Sequence, residues 1–190
     1  MDALKLFNII KHANKDTFGK AFRYFMKYFG GSLRCNRFVQ GNLAERLVAD
    51  TIRSEGVKVT VLPNEARFDC DIETFGKLSI KYSSDKDIRL HNSQSTNKDM
   101  KMVDTLLITP TKWYLLIISS IEAHGVDLTS YLVNTGDSLQ LKRTILTELE
   151  YIGYDYILDY DLKINKKECQ HKAVNDIIID YILSQIHAKE

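Results

Sequence analysis

The segment of residues 66–84 holds the side chains best suited to chemistry, because acids and lysines alternate there with apolar residues. Every second residue of an extended strand faces the same side, so the pattern predicts two strands that are each polar on one face. The polar residues of interest are Asp69, Asp71 and Glu73 on the first strand, and Ser79 and Lys81 on the second. Carboxylates on one face repel each other unless a divalent cation such as Mg²⁺ compensates. A lysine beside such an ion can hold a phosphate oxygen, so the segment predicts metal-dependent hydrolysis of phosphodiesters.

A tight turn must join the two strands, and its length decides which residues face each other. A three-residue loop, Thr74-Phe75-Gly76 with glycine in the left-handed conformation, is a common hairpin connection. With this loop three pairs of polar residues lie directly opposite: Glu73 and Lys77, Asp71 and Ser79, and Asp69 and Lys81. The simpler alternative is an exposed strand face, on which an Asp69–Lys81 ion pair contributes less than about 1 kcal/mol.

A helix and several strands must position this hairpin. Asn42 followed by Glu45 has the spacing of a capping box, which predicts a helix over residues 42–55 that Gly56 ends. Further strands are predicted at 57–61, 66–73, 77–83, 104–109, 113–121 and 138–142, and further helices at 2–13, 16–29, 143–151 and 168–187. The order predicts an α/β fold with a mixed β-sheet flanked by helices. The 190 residues are taken as one domain, with N-terminal helices in 1–40, a core in 41–121 and a C-terminal helical part in 122–190.

The hairpin and the helix before it resemble the PD-(D/E)xK nuclease superfamily, which includes many type II restriction endonucleases. The family pattern is an acid on one strand, here Asp71 or Asp69, and an acid-x-lysine tripeptide on the next, here Ser79-Ile80-Lys81. The resemblance covers roughly residues 40–121. It implies a restriction-endonuclease-like core and an endonuclease that cuts DNA with Mg²⁺, or with Mn²⁺ as a substitute. A homodimer is expected if both strands of a palindrome are cut.

Ser79 departs from that pattern, since the family usually has an acid at this position. Three explanations stay open. Asp71 or Asp69, together with Glu45 or Glu73, completes the metal shell; or Ser79 is a tolerated variant, with the Ile80 carbonyl as a further ligand; or the protein is a catalytically inactive relative that binds DNA or a protein partner. Glu45 likewise has two candidate roles, the reciprocal cap of Asn42 and a metal ligand.

The polar stretch after the hairpin, residues 85–101, is predicted to be a loop that touches DNA. Its candidate nucleic-acid-binding residues are Lys86, Arg89, His91, Asn92, Gln94, Asn97 and Lys98. Arginine, asparagine and glutamine can pair with base edges, whereas lysine and hydroxyl groups contact phosphates. An ordinary solvated loop is the alternative.

Other functional classes are disfavoured. Three cysteines without a CxxC pair argue against a disulfide framework and a cysteine-rich zinc site. No apolar run approaches the roughly 18 residues of a membrane-spanning helix, and the N-terminus is a poor signal peptide. We therefore expect a cytoplasmic protein with DNA, and not a membrane, as its partner.

Overall fold

The fold is described from a computed structural model, which places residues 1–13, 36–63, 68–83, 87–92, 102–134 and 138–159. For residues 13, 36–40, 87, 91 and 92 the structure describes the backbone alone. The predicted helices at 16–29 and 168–187 lie outside these ranges.

Helices and strands alternate in blocks along the chain. The helices are α1 (Ala3–Ala13), α2 (Asn36–Ser54), α3 (Ile118–Ala123), a 3₁₀-helix (Leu128–Tyr131) and α4 (Thr144–Tyr151). The strands are β1 (Val59–Val61), β2 (Cys70–Ile72), β3 (Gly76–Tyr82), β4 (Asp87–Asn92), β5 (Thr105–Ile108), β6 (Lys112–Leu116), β7 (Leu132–Asn134), β8 (Ser138–Lys142) and β9 (Ile157–Asp159). The predictions for residues 2–13, 138–142 and 143–151 are confirmed to within one residue at either end.

The strands form two sheets. The larger has six strands in the order β1-β2-β3-β5-β6-β9, and its β3–β5 pair is parallel while its other pairs are antiparallel. The smaller is antiparallel, with the order β4-β8-β7. The mixed α/β class is thereby confirmed, and the larger sheet is mixed as predicted.

Two apolar clusters cover opposite faces of the larger sheet. On one face, α1 and α2 pack against residues such as Leu78, Ile80 and Leu106. On the other face, the smaller sheet, α3 and α4 pack against Leu107 and Tyr114 of β5 and β6. Neighbours such as Leu106 and Leu107 enter different clusters because successive strand residues face opposite sides. The described members of the second cluster include none from β1, β2 or β3, so those strands lie beside the covered region on that face.

Three predictions about the type of element at a given place are wrong. The strand beginning near Trp113 ends at Leu116, and residues 118–123 form α3 instead of continuing it. The stretch predicted to be a polar loop contains β4, because Ile88 and Leu90 are buried and give it an apolar face. The part of 122–190 that the structure describes is not mainly helical, since it contributes β7, β8 and β9.

None of the helices within the described ranges combines the length and the apolar character needed to cross a bilayer.

Candidate active site

The hairpin of β2 and β3 has a register different from the predicted one. The observed partners are Ile72 and Gly76, Asp71 and Lys77, and Cys70 and Leu78. The turn begins one residue earlier than predicted, with the Phe75 N–H donating to the Ile72 carbonyl at 3.1 Å. Thr74 takes the left-handed conformation (φ 66°) that was expected of Gly76, and Gly76 (φ 105°) opens β3. The register is therefore shifted by two residues.

This shift keeps Asp71, Ser79 and Lys81 on the face predicted for them but changes their neighbours, because strands have a period of two. Asp71 was predicted to face Ser79; it instead faces Lys77, and its side chain is exposed. Glu73 lies exposed in the turn. The predicted pairings of Asp71 and Glu73 are therefore wrong, and among the placed residues the hydrogen-bonded cluster forms around Asp69.

One oxygen of Asp69, Oδ2, accepts hydrogen bonds from three groups of β3. The donors are the Ser79 hydroxyl at 2.8 Å, the Ile80 backbone N–H at 2.5 Å and the Lys81 ammonium at 3.0 Å. The ammonium also lies 3.3 Å from Oδ1. The Asp69 and Lys81 side chains are 16% and 24% exposed, so this ion pair is screened less than a surface pair. The predicted Asp69–Lys81 contact is thus present, although the two residues are not direct strand partners.

A bend in the backbone explains this arrangement. If the observed register continued, Ile80 would lie opposite Phe68 and would pair with its backbone. The chain instead bends at Phe68 and Asp69. The Asp69 carboxylate then accepts the hydrogen of Ile80 that a regular ladder would give to a carbonyl.

Ser79 occupies the position where the resemblance expects an acid, and it is 1% exposed. Its hydroxyl orients Asp69 through the hydrogen bond to Oδ2. A carboxylate in its place would be buried beside Asp69, which is unfavourable unless a cation compensates. Ser79 therefore acts as a positioning residue for Asp69.

Glu45 joins the same region from α2. The helix begins at Asn36, so Asn42 lies inside it and the predicted capping box is wrong. Helical side chains lean toward the N-terminus, and the Glu45 carboxylate accordingly lies over Gly41, where an added Cβ would be 4.0 Å from Oε1. Glu45 therefore does not act as the reciprocal cap of Asn42, which was the alternative to its role as a metal ligand.

The pKa of Glu45 is raised from 4.5 to about 7. Burial of the carboxyl group is the largest cause, and the negative charge of Asp69 is the next. Lys81 and Arg46 act in the opposite direction. These effects place Glu45 within electrostatic reach of Asp69 and Lys81, and we call these three residues with Ser79 and Ile80 the Asp69 cluster.

The donor set of the Asp69 cluster is small. Within the described ranges, no group of three or more His, Cys, Asp or Glu side chains could hold a metal ion. Mg²⁺ usually takes only one or two protein carboxylates and completes its shell with water and phosphate. Glu45 and Asp69 match that need. The carbonyl of Ile80 points to the same side of β3 as its N–H, toward Asp69, since both groups of a strand residue face one neighbour.

The candidate DNA-binding residues are only partly placed. Arg89, His91 and Asn92 lie on β4, a strand instead of the predicted loop, and the Arg89 side chain is exposed. The backbone register with β8 shifts between Arg89 and His91. The remaining candidates, Lys86, Gln94, Asn97 and Lys98, lie outside the described residues.

Two residues near the cluster were not predicted to matter. The ammonium of Lys77 lies 5.2 Å from the centroid of the Phe68 ring. In sequence, Phe68 alternates with Cys70 and Ile72 and belongs with the apolar face. The bend at Phe68 breaks that alternation, and no local sequence signal predicts it.

A comparison of this chain with protein-family profiles, curated proteins and solved structures finds no match.

Proposed function

We propose that the protein is a metal-dependent nuclease that hydrolyses phosphodiester bonds in DNA, and that its sheet is a restriction-endonuclease-like core. The observation that carries this proposal is the Asp69 cluster. Glu45 and Asp69 are two mutually repelling carboxylates, and Lys81 contacts Asp69 from the adjacent strand. Partly buried acids beside a lysine match the equipment of phosphodiester hydrolysis better than they match a stabilising surface pair.

A divalent cation fits the chemistry of this donor set. Glu45, Asp69 through Oδ1, and the Ile80 carbonyl would hold Mg²⁺, or Mn²⁺ in its place. A bound cation would relieve the repulsion that helps to raise the pKa of Glu45. When bound, such an ion lowers the pKa of a coordinated water and stabilises charge on the phosphate.

The side chains of the cluster have separate tasks in this proposal. Ser79 and the Ile80 N–H hold the Asp69 carboxylate in one orientation. Lys81 is close enough to Asp69 to move between that carboxylate and a phosphate oxygen, where it offsets negative charge that develops during the reaction. Glu45 supplies the second carboxylate from α2; burial and the charge of Asp69 raise its pKa, and a bound cation would offset both effects.

One observation favours a second candidate, an inactive nuclease-fold protein that binds DNA or a protein partner. Oδ2 of Asp69 already accepts three hydrogen bonds, and Ser79 supplies no carboxylate. A cluster saturated in this way offers fewer ligands to a cation than one with an acid at residue 79.

Cleavage of plasmid DNA in the presence of Mg²⁺ or Mn²⁺ tests the proposal. Wild-type protein should nick or cut the plasmid, and Lys81→Ala should reduce the rate by at least about 100-fold through the loss of charge stabilisation. Lys58→Ala removes an exposed lysine just before β1 and serves as the matched control, with an unchanged rate. Absence of wild-type cleavage with either metal, together with intact DNA binding, would instead support the inactive protein. A parallel RNA substrate reports the choice of nucleic acid.

A further inference from the structure

Phe68 is an aromatic side chain next to the Asp69 cluster, and it is part of neither apolar core. It is half-buried, and within the described part of the chain it belongs to neither of the two core clusters. The bend that lets Asp69 reach Ile80 occurs at the same two residues and takes Phe68 out of the regular strand. The ring is therefore held at the edge of the candidate site by the feature that builds it.

The ring has a partner that is easily exchanged. Lys77 places its ammonium 5.2 Å from the ring centroid, and its side chain is exposed. Cation–π contacts at exposed sites are weak, whereas stacking of a nucleobase on an aromatic ring is stronger. A flexible lysine can leave the ring for a phosphate while a base takes its place.

The position of this pair relative to the Asp69 cluster suits a nucleotide. Phe68 precedes Asp69 in the chain, and Lys77 lies on β3 two residues before Ser79, on the same face of the strand. Lys77 and Lys81 are four residues apart on β3, a separation of about 13 Å, which is roughly twice the spacing of successive phosphates along an extended nucleic-acid strand. A phosphate at Lys77 and another at Lys81 would thus be separated by one intervening phosphate of the same chain.

We propose that Phe68 and Lys77 bind an unpaired nucleotide of DNA beside the scissile phosphate, with Phe68 stacking on the base and Lys77 contacting the backbone. This inference rests on the proposed nuclease function and names its substrate class, DNA that presents unpaired bases. A base inside a duplex is stacked on both sides and offers no free face to a protein ring. Asp71 lies opposite Lys77 and lowers the local positive charge, which makes the ring the main source of affinity.

Binding is measured separately from cleavage by fluorescence anisotropy of a labelled 12-nucleotide single strand in EDTA. Phe68→Leu should weaken binding about ten-fold through loss of stacking. Phe68→Trp should restore it, and its indole fluorescence should be quenched on titration, whereas the buried Trp113 alone, in wild type, should respond little. Phe75→Leu is the matched control, since Phe75 on the same hairpin packs against the first core, and it should bind as wild type does. Lys77→Gln should reduce the slope of log affinity against log salt by about 0.7.

A double-mutant cycle between Phe68 and single positions of the DNA gives a sharper test. Single abasic sites are placed along the strand, and one position should cost wild type about ten-fold in affinity. For Phe68→Leu the abasic site at that position should leave the affinity unchanged, because the variant already lacks the ring on which the missing base would stack. Equal abasic costs in both proteins, or an unquenched Phe68→Trp, would overturn the inference. Thermal melts of each variant show that it is folded.

The failure of the two proposals is distinguishable. If cleavage depends on the metal but binding does not depend on Phe68, the nuclease proposal is kept and the nucleotide site is rejected. Phe68-dependent binding without cleavage of either the plasmid or the single strand under Mg²⁺ or Mn²⁺ keeps the nucleotide site and removes the nuclease.

Discussion

The Asp69 carboxylate accepts a 2.5 Å hydrogen bond from the backbone N–H of Ile80, a group that would face Phe68 if the β2–β3 ladder continued. A side chain thus completes the edge of a β-ladder. This hydrogen bond brings Asp69, and not Asp71, next to Lys81. This relationship separates the roles of two aspartates that are equivalent in the sequence pattern.

Asp69 and Asp71 should respond differently to the same substitution. Asp69→Asn should reduce Mg²⁺-dependent DNA cleavage by about 100-fold or more, because the neutral amide loses both the charge that pairs with Lys81 and the ligand for a cation. Asp71→Asn should retain the wild-type rate within a few-fold, since Asp71 is exposed and faces Lys77. Initial rates on plasmid DNA provide the measurement. Equal losses for both variants would show that Asp71 belongs to the site after all.

Glu45 should make the protein less stable as pH rises. Its pKa is about 7 in the folded chain and near the ordinary 4.5 when unfolded, so between these values the folded state binds more protons. Stability is then lost progressively from about pH 4.5 to pH 7. Glu45→Gln removes this loss, and its free energy of unfolding should exceed that of wild type by about 1 to 3 kcal/mol at pH 8 but by little at pH 4.

Urea unfolding at the two pH values, in EDTA, measures the effect of Glu45→Gln. Glu55→Gln is the control, because Glu55 is exposed just after α2 and should show no such difference between pH 4 and pH 8. A Glu45→Gln curve parallel to the wild-type curve across this range would contradict the expected pKa shift.

Thr74 in the turn of the hairpin has a strained backbone, and its replacement by glycine should stabilise the protein. Thr74 has φ 66°, and the left-handed conformation costs an L-residue about 1 to 2 kcal/mol. Thr74→Gly should raise the free energy of unfolding by about 0.5 to 1 kcal/mol, because the freedom of glycine in the unfolded chain offsets part of the relief. Gly76→Ala should have the opposite sign: no atom lies within 4 Å of the added Cβ, but φ is 105°. Chemical denaturation of the two variants measures both changes.

Tyr154 should stabilise the connection between β6 and α3. Its hydroxyl donates to the Leu115 carbonyl and accepts from the Ile117 N–H, both at 3.0 Å, and the residue is 3% exposed. Tyr154→Phe leaves two buried backbone groups without this partner and should lower the free energy of unfolding by about 1 to 3 kcal/mol. Tyr151→Phe, at an 86% exposed position, should leave it unchanged. Thermal melts compare the two; a Tyr154→Phe midpoint equal to that of wild type would refute the role.

Local sequence pattern was a sound guide to which face the residues of β2 and β3 take. Alternation of polar and apolar residues is a property of the strand itself, and it survived the register error because that error was two residues, an even number. The pattern likewise predicted β8, α4 and the Asp69–Lys81 contact. It also predicted the mixed α/β class, since that class follows from the order of the elements.

Local pattern was a poor guide wherever packing overrode propensity. Asn42 followed by Glu45 signals a helix start, yet α2 runs through both, since burial of Ala44, Val48 and Ile52 stabilises the helix on the sheet. Ile88 and Leu90 lie within a polar stretch, but they form β4 because β8 supplies a strand to pair with.

The sequence by itself determined that acids, a serine and a lysine share one face of a hairpin, because a period of two depends only on the strand. Only the tertiary structure decided which acid meets the lysine. That choice depended on the left-handed Thr74 and on the bend at Phe68 and Asp69, and the approach of Glu45 from a helix more than twenty residues earlier in the chain was likewise visible only in the folded structure. These are long-range features, set by packing between elements, and no local spacing encodes them.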